Sequence, residues 1–344
     1  MTTTLKDVAA LAGVSPSTVS RVLGKQEYLR VLESTKKKIF DAAEKLNYQP
    51  NFTARALRIR KSFTIGLIVP DIGNPFFSRI ARTIEQLGFE KDYTVIVCNT
   101  DEDQEKENRY VSHLLSRGVD GLIMVPAQGS DKTVRTVKEK GLPLVLIDRV
   151  FENIETNAVI SNNAEAAFNA IKYLAELGHK KVAFLRGKSN IYTMAKRYKG
   201  YHKAVKKFGL VESDSLVVGD GFSFEDGYNS TKELLNCAEP PTALLLTGNL
   251  ITVGAISAIL EKGLSIPEDI SVIAFADSIF SPYLVKPLTT ISHPLYEIGL
   301  KAFNLLLENI ESDKVLSTSQ IIVNTQFDIR KTTGKVETVL EITQ

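Results

Sequence analysis

No tryptophan occurs among the 344 residues, and cysteine, methionine and histidine are sparse at two, three and four copies. Cys98 and Cys237 cannot make a disulfide framework for a chain this long, so a reducing, cytoplasmic setting is the simpler expectation. The histidines, at 113, 179, 202 and 293, are scattered, and neither CxxC nor HExxH occurs, so no metal site is expected. GxSxG and GxxxxGK[ST] are also absent, and GDGFSF at 219–224 does not match a dinucleotide fingerprint. The expectation is a protein that is not an enzyme and needs no cofactor. No apolar run approaches the ~18 residues of a membrane span, and MTTTLKDVAALAG lacks the apolar stretch of a secretory signal. Membrane insertion and export are not expected. Disorder is excluded as well, because 44% hydrophobic residues accompany a net charge of only +2.

That small net charge conceals a division. Residues 1–63 hold 12 Lys and Arg against 5 Asp and Glu, whereas the remainder holds 30 against 35. A basic module joined to a mildly acidic body suggests that the first part meets a polyanion. A basic solvated helical surface is the other reading, and local pattern must decide between them.

Thr4 with Asp7 three residues on has the form of a capping box, and Leu5, Val8, Ala9, Leu11 and Ala12 follow as a helical apolar stripe. Gly13 can end that helix. Ser15 is a good N-cap and Pro16 falls at the first helical position, where its missing N–H costs nothing. Val19, Val22 and Leu23 then define a second short helix, which carries Ser17, Thr18, Ser20 and Arg21 off its apolar face. Two helices about a Gly-Val-Ser turn make a helix-turn-helix. A third helix, from about residue 32 to 46, closes a three-helix core with Ile39, Ala42, Ala43 and Leu46. After the break at Pro50 and Asn51, residues 53–60 read as a short basic helix that is marginal in water by itself.

The stretches LKDVAALAGVSPSTVSRVLG and AAEKLNYQPNFTARALR closely resemble the headpiece and hinge of the LacI/GalR family of bacterial transcription regulators. The resemblance implies a headpiece at 1–48 and a hinge at 49–63. It places Thr4, Ser15, Pro16, Ser17, Thr18, Ser20 and Arg21 against DNA, with Pro16, Ser17 and Arg21 facing base edges in the major groove. Simple helix capping is the competing role for Pro16 and Ser17. In the hinge it implies DNA contacts from Asn51, Ala54, Arg55, Leu57 and Arg58, with Leu57 wedged between base steps of the minor groove. Two departures stand out: Gly24 where the family usually has Asn, and Leu32 where a Ser or Thr normally caps the third helix.

Beyond residue 62, apolar runs at 64–70, 93–99, 120–126 and 143–148 alternate with helical stretches, and a second series follows at 179–187, 213–219, 241–247 and 270–276. Continuous Val/Ile/Leu strands suit parallel sheets covered by helices on both faces, and two such series imply two lobes with a cleft. The resemblance extends nearly to Lys331 and includes the periplasmic-binding-protein-like core. It implies three crossings, with one lobe of about 64–161 and 293–325, a second of about 162–292 and 326–331, and a tail at 332–344. The tail, with Val336, Val339 and Leu340 at helical spacing, is too short for a tetramer's heptads.

The family pattern also marks the cleft. Asn74, Phe76, Phe77, Asp148, Arg149, Asn162, Arg197, Phe222, Gly248, Asn249, Ala276 and His293 match effector-contacting positions, Phe222 as the start of a helix. Phe76 and Phe77 have lobe core as their alternative role, Arg149 and Arg197 a surface or interdomain ion pair, and His293 that of a neutral hydrogen-bonded cleft residue. Where the family commonly offers carboxylates, this chain has Asn162-Asn163, Gly248-Asn249 and Ala276-Asp277, and His293 replaces a Gln. Loss of acceptors with Arg149 and Arg197 retained shifts the cleft toward positive charge, so an anionic effector such as a sugar acid or phosphorylated metabolite is expected. A bulkier effector using the space at Gly248 and Ala276 is the alternative. The whole reads as an effector-responsive, DNA-binding transcription regulator, a repressor that acts as a homodimer on a pseudo-palindromic operator. A solute receptor for transport would share the two-lobed core but has no use for residues 1–60.

Overall fold

The computed structural model describes residues 3–23, 31–48, 61–127, 129, 131–275, 281–312 and 317–336. The chain forms two compact units, Met1–Ser62 and Phe63–Gln344. The expected hinge contacts Asn51, Ala54, Arg55, Leu57 and Arg58 lie outside the described residues, as do Gly24, Ala276, Asp277, Val339 and Leu340.

In the first unit, α1 (Leu5–Ala12), α2 (Pro16–Leu23) and α3 (Glu33–Lys45) enclose Val8, Ala9, Val19, Val22, Ile39 and Ala42. Gly13 ends α1 at φ 67°, a left-handed conformation that glycine adopts without a Cβ penalty. The Ser15 hydroxyl accepts from Thr18 N at 3.1 Å and so starts α2. Leu32 precedes α3 without offering any side-chain cap, and is 75% exposed.

The second unit begins with β1 (Thr64–Val69), α4 (Pro75–Glu90), β2 (Thr94–Asn99), α5 (Gln104–Ser116), β3 (Gly121–Met124), α6 (Lys132–Glu139), β4 (Leu144–Ile147) and β5 (Asn157–Ser161). It continues through α7 (Asn163–Glu176), β6 (Val182–Leu185), α8 (Tyr192–Phe208), β7 (Val217–Val218), α9 (Phe224–Leu235), β8 (Ala243–Leu246), α10 (Asn249–Glu261), β9 (Ser271–Phe275) and β10 (Thr289–Ser292). α11 (Leu295–Glu311), β11 (Gln320–Val323) and β12 (Gln326–Asp328) follow.

These strands form two six-stranded sheets, ordered β11-β5-β4-β3-β1-β2 and β12-β10-β9-β8-β6-β7. All pairings are parallel except β10 with β12. The chain therefore passes between sheets after β5, after β10 and after β11. The inner strands β1, β3, β4, β5, β6, β8 and β9 are buried on both faces, which is why they are continuous apolar runs. On the first sheet, α4 and α11 cover Ile65, Leu67, Val145 and Ile147, while α5 and α6 cover Ile68, Leu122, Met124 and Leu146. On the second, α7 and α8 cover Val182, Phe184, Leu245 and Ile273, while α9 and α10 cover Ala183, Leu185, Leu244 and Val272. Gly200 permits this packing, since a Cβ there would lie 2.0 Å from the carbonyl oxygen of Ala164 on α7.

Three details differ from the sequence expectation. The run at 213–219 yields a 3-10 turn at Asp214–Leu216 and a two-residue strand, because the Ser213 side chain caps the turn by accepting from Ser215 N. The helix expected to begin at Phe222 begins at Phe224, where the Ser223 hydroxyl accepts from Asp226 N at 3.1 Å. Residues 332–336 run beside β9 and α7: Val272 N donates to Thr332 O at 2.7 Å, and Val336 N to Leu177 O at 3.0 Å.

Candidate DNA-reading face and effector cleft

On the first unit, α2 presents Pro16, Ser17 and Arg21 to solvent, with Ser17 and Arg21 one turn apart on one face. Arg21 makes no ion pair among the described residues. Ser15 bonds both Ser17 and Thr18 hydroxyl to hydroxyl at 2.8 Å, so the first turn is a linked set of polar groups. Ser20 is half-buried. At the start of α1, Thr4 N and Thr4 Oγ1 both donate to Asp7 Oδ2, at 2.8 and 2.7 Å. Those two bonds, the backbone one first, hold the Asp7 carboxyl below the usual carboxylate range.

In the second unit, most of the expected cleft residues follow the carboxyl ends of strands, where ligands bind in open parallel sheets. After β1, Asn74 caps α4 by accepting from Phe76 N at 3.0 Å. Across the cleft, Asn249 opens α10 and its Nδ2 donates to Asn74 Oδ1 at 3.2 Å, so the amino ends of two helices meet there. Helix amino ends favour anions. Phe76 and Phe77 are both buried in the first sheet's core; Phe76 lies edge-on to the His293 ring at 5.0 Å.

Asp148 follows β4 at φ 65°, a strained conformation for a non-glycine residue, and Arg149 N closes the turn onto Ile147 O at 2.6 Å. Arg149 is only 4% exposed. It holds Glu102 with two bonds, Nη1 to Oε2 and Nη2 to Oε1, both 2.7 Å. Its charge is thus already balanced inside the first lobe. Glu107, fully buried nearby, accepts from Ala127 N at 2.5 Å, yet burial pushes its pKa up to about 7.

Arg197 differs. Its Nε donates to Asn163 Oδ1 at 2.7 Å and its Nη1 to Thr247 O at 2.8 Å, while its third nitrogen lies 3.4 Å from His293 Nε2. The guanidinium also rests on the Phe275 ring, 3.9 Å from the centroid. Asn162 braces a lobe crossing, accepting from Thr325 N at 2.8 Å and from its hydroxyl at 3.0 Å. Phe222 is half-buried with its ring against Gly187, where a Cβ would fall 2.0 Å from Cε1. At Gly248 a Cβ would meet nothing closer than 3.6 Å, so packing does not demand glycine there.

Sequence reasoning missed Glu102, Thr247 and Thr325. Glu102 lies 47 residues from its partner, and no spacing rule connects them. Thr247 acts through a backbone oxygen, which any residue type supplies, and Thr325 through its backbone N–H as well as its hydroxyl, 163 residues from Asn162. His179 is structural, as its place after Leu177-Gly178 implies. Buried among Thr242 Oγ1 at 2.9 Å, Ser271 Oγ at 3.0 Å and Gly334 O at 3.1 Å, it ties residue 334 to the sheet, and burial holds its pKa down. Among the described residues there is no cluster fit for a metal ion and no helix long and apolar enough to cross a membrane.

A small helix-turn-helix unit and a two-lobed core of parallel sheets together define an effector-binding regulator architecture. The family model for bacterial regulatory proteins of the lacI family matches residues 4–51, and that for periplasmic binding proteins and the sugar binding domain of the LacI family matches 62–331; the chain belongs to the LacI family. It is 34% identical over 336 residues to the HTH-type transcriptional repressor PurR of Haemophilus influenzae (strain PittEE), covering 97% of this chain and 99% of that one. The lac repressor dimer bound to operator and the anti-inducer ONPF superposes with a TM-score of 0.85 at 28% identity, over 97% of this chain and 100% of that one. A LacI family regulator from Enterococcus faecium with bound ribose gives 0.72 at 29% identity, over 80% and 100%. These relatives are transcription regulators, not enzymes.

Proposed function

We propose that the protein represses transcription as a homodimer on a pseudo-palindromic operator and that an anionic metabolite bound in the cleft controls its grip on DNA. The DNA reading rests on Arg21, exposed on α2 with no ion pair among the described residues and one turn from Ser17. A guanidinium so placed donates two bonds to a guanine, worth about 1–3 kcal/mol of discrimination. The proposed partner is therefore double-stranded DNA. The hinge at 49–63 carries the signal, with Leu57 as the minor-groove wedge.

The effector reading rests on Arg197. Arg149 is committed to Glu102, so Arg197 is the cleft cation proposed to meet the effector. Its hydrogen bonds to Asn163 and Thr247 fix the guanidinium against Phe275, beside His293 and near the amino ends of α4 and α10. This arrangement suits a carboxylate or phosphate approached by a pre-oriented cation. Asn74, Asp148, Asn249 and Phe222 complete the proposed contacts, with Asn162 positioning a crossing. Effector binding biases the two lobes toward one arrangement, and linkage requires the same coupling to alter DNA affinity.

A thermal-shift panel of neutral monosaccharides, sugar acids and phosphosugars tests the effector class. A ligand at 100 times its dissociation constant adds about 2.7 kcal/mol of apparent stability. Stabilisation by an acid, lost in Arg197→Met, supports the reading; stabilisation by a neutral sugar such as ribose with no response to acids overturns it.

A further inference from the structure

Between Glu176 and Glu212 the chain carries ten Lys and Arg and no Asp or Glu, inside a core that is acidic overall. Six of the ten lie on α8. Arg197 belongs to the cleft and Lys196 pairs with Glu152, which leaves Lys199, Lys203, Lys206 and Lys207 exposed toward its far end. Among the described residues Lys199, Lys203 and Lys207 form no ion pair, and Lys206 reaches Glu212 only at 3.7 Å, an acid that His202 already holds at 2.8 Å. Lysines in the last turn complement the helix dipole, which accounts for Lys206 and Lys207. It does not account for the ladder Lys199–Lys203–Lys207, since like charges four residues apart oppose helix formation.

The lysines have an aromatic floor. The ammonium groups of Lys203 and Lys207 lie 5.6 and 5.5 Å from the Phe168 ring centroid, and that of Lys207 lies 5.8 Å from Phe208. Ammonium groups seated over rings have their freedom restricted before any partner arrives. α8 covers the face of the second sheet opposite to α9 and α10.

We propose that the α8 lysine face docks an acidic helix of a partner protein. Lys199, Lys203 and Lys207 repeat at ~6 Å over ~12 Å, the spacing at which carboxylates four residues apart project from a second helix. Lysine also contacts duplex phosphate, so a random duplex is the competing occupant that the test must separate. The test uses the full chain and fluorescence anisotropy with a synthetic helical peptide bearing Glu at every fourth position, against a scrambled peptide of equal composition and a random duplex. The patterned peptide is expected to bind at least about tenfold more tightly than the scramble, and the triple variant Lys199→Gln/Lys203→Gln/Lys207→Gln to lose that binding. The variant should keep its affinity for random duplex and an unfolding midpoint no lower than that of the parent. Equal binding of the scramble, or unchanged peptide binding by the variant, overturns the proposal. A loss of duplex affinity in the variant would assign the face to nucleic acid instead, and overturns it equally.

Discussion

Arg149 and Glu102 form a buried bidentate pair whose two members come from different loops. Removing one partner of such a pair strands a charge and costs about 3–5 kcal/mol, less here because Glu102 keeps partial contact with solvent. Arg149→Met is therefore expected to lower urea-unfolding stability by about 2–4 kcal/mol, and Glu102→Gln added to it to recover most of the loss; no recovery would mean the pair is not the cause. Glu107 gives a pH signature. Burial raises its folded pKa to about 7, above the usual carboxylate value of 4.5, so the folded state binds the proton more tightly. Its contribution to stability is complete below pH 4.5 and is lost as pH rises through about 7. Glu107→Gln should then gain stability relative to the parent at pH 8 but not at pH 4.5, as read by denaturant midpoints. His179 acts in the other direction: burial lowers its pKa, so its contribution is present above the ordinary value of 6.5 and falls away as pH drops through the folded one. The sequence marks Arg149 and Arg197 equally as cations of the cleft. Only the fold shows that Arg149 meets Glu102 while Arg197 meets Asn163, Thr247 and His293, because those contacts span 34 to 96 residues.

At the scale of elements, local chemistry was legible wherever short-range signals agree. Thr4 with Asp7, Gly13, Ser15 and Pro16 bound the first two helices as their spacing predicts, and the apolar runs at 64–70, 93–99 and 120–126 become β1, β2 and β3. The strands β5, β10, β11 and β12 gave no such signal. They are three to five residues long, and β12 is set by antiparallel pairing with β10 across a lobe crossing, not by its own pattern. Leu32 was visible as a departure, and it leaves α3 without a side-chain cap. Replacing Leu32 by Asp supplies an acceptor for the amino end of α3, with a gain of about 1 kcal/mol. The expected result is a higher melting temperature of the first unit by circular dichroism; an unchanged one would mean that end is already satisfied.

For the whole molecule, dimerisation needs a surface, and α10 has one. It is apolar on both sides: Ile251, Ala255 and Ile259 face the sheet, while Leu250, Val253 and Leu260 are exposed, as are Tyr283 and Val285. Exposed apolar patches of this kind mark association sites, and a two-fold axis would set the same face against itself. Val253→Asp is accordingly expected to convert a dimer to a monomer in light scattering at micromolar concentration. If the proposed dimer reads two half-sites on one duplex, the same substitution weakens operator binding far more than it disturbs the fold.

The claim on which these rest is that Arg21 reads base sequence while the cleft sets how strongly it does so. Its most direct test is the affinity of the parent and Arg21→Ala for a duplex enriched by in vitro selection, measured against random duplex over a range of salt, with and without the effector found by thermal shift. The account predicts that Arg21→Ala loses about 1–3 kcal/mol of discrimination per half-site, that salt weakens both duplexes, and that effector changes the affinity of the parent for the selected one. Equal affinity for selected and random duplex in the parent, unmoved by salt or effector, would contradict it.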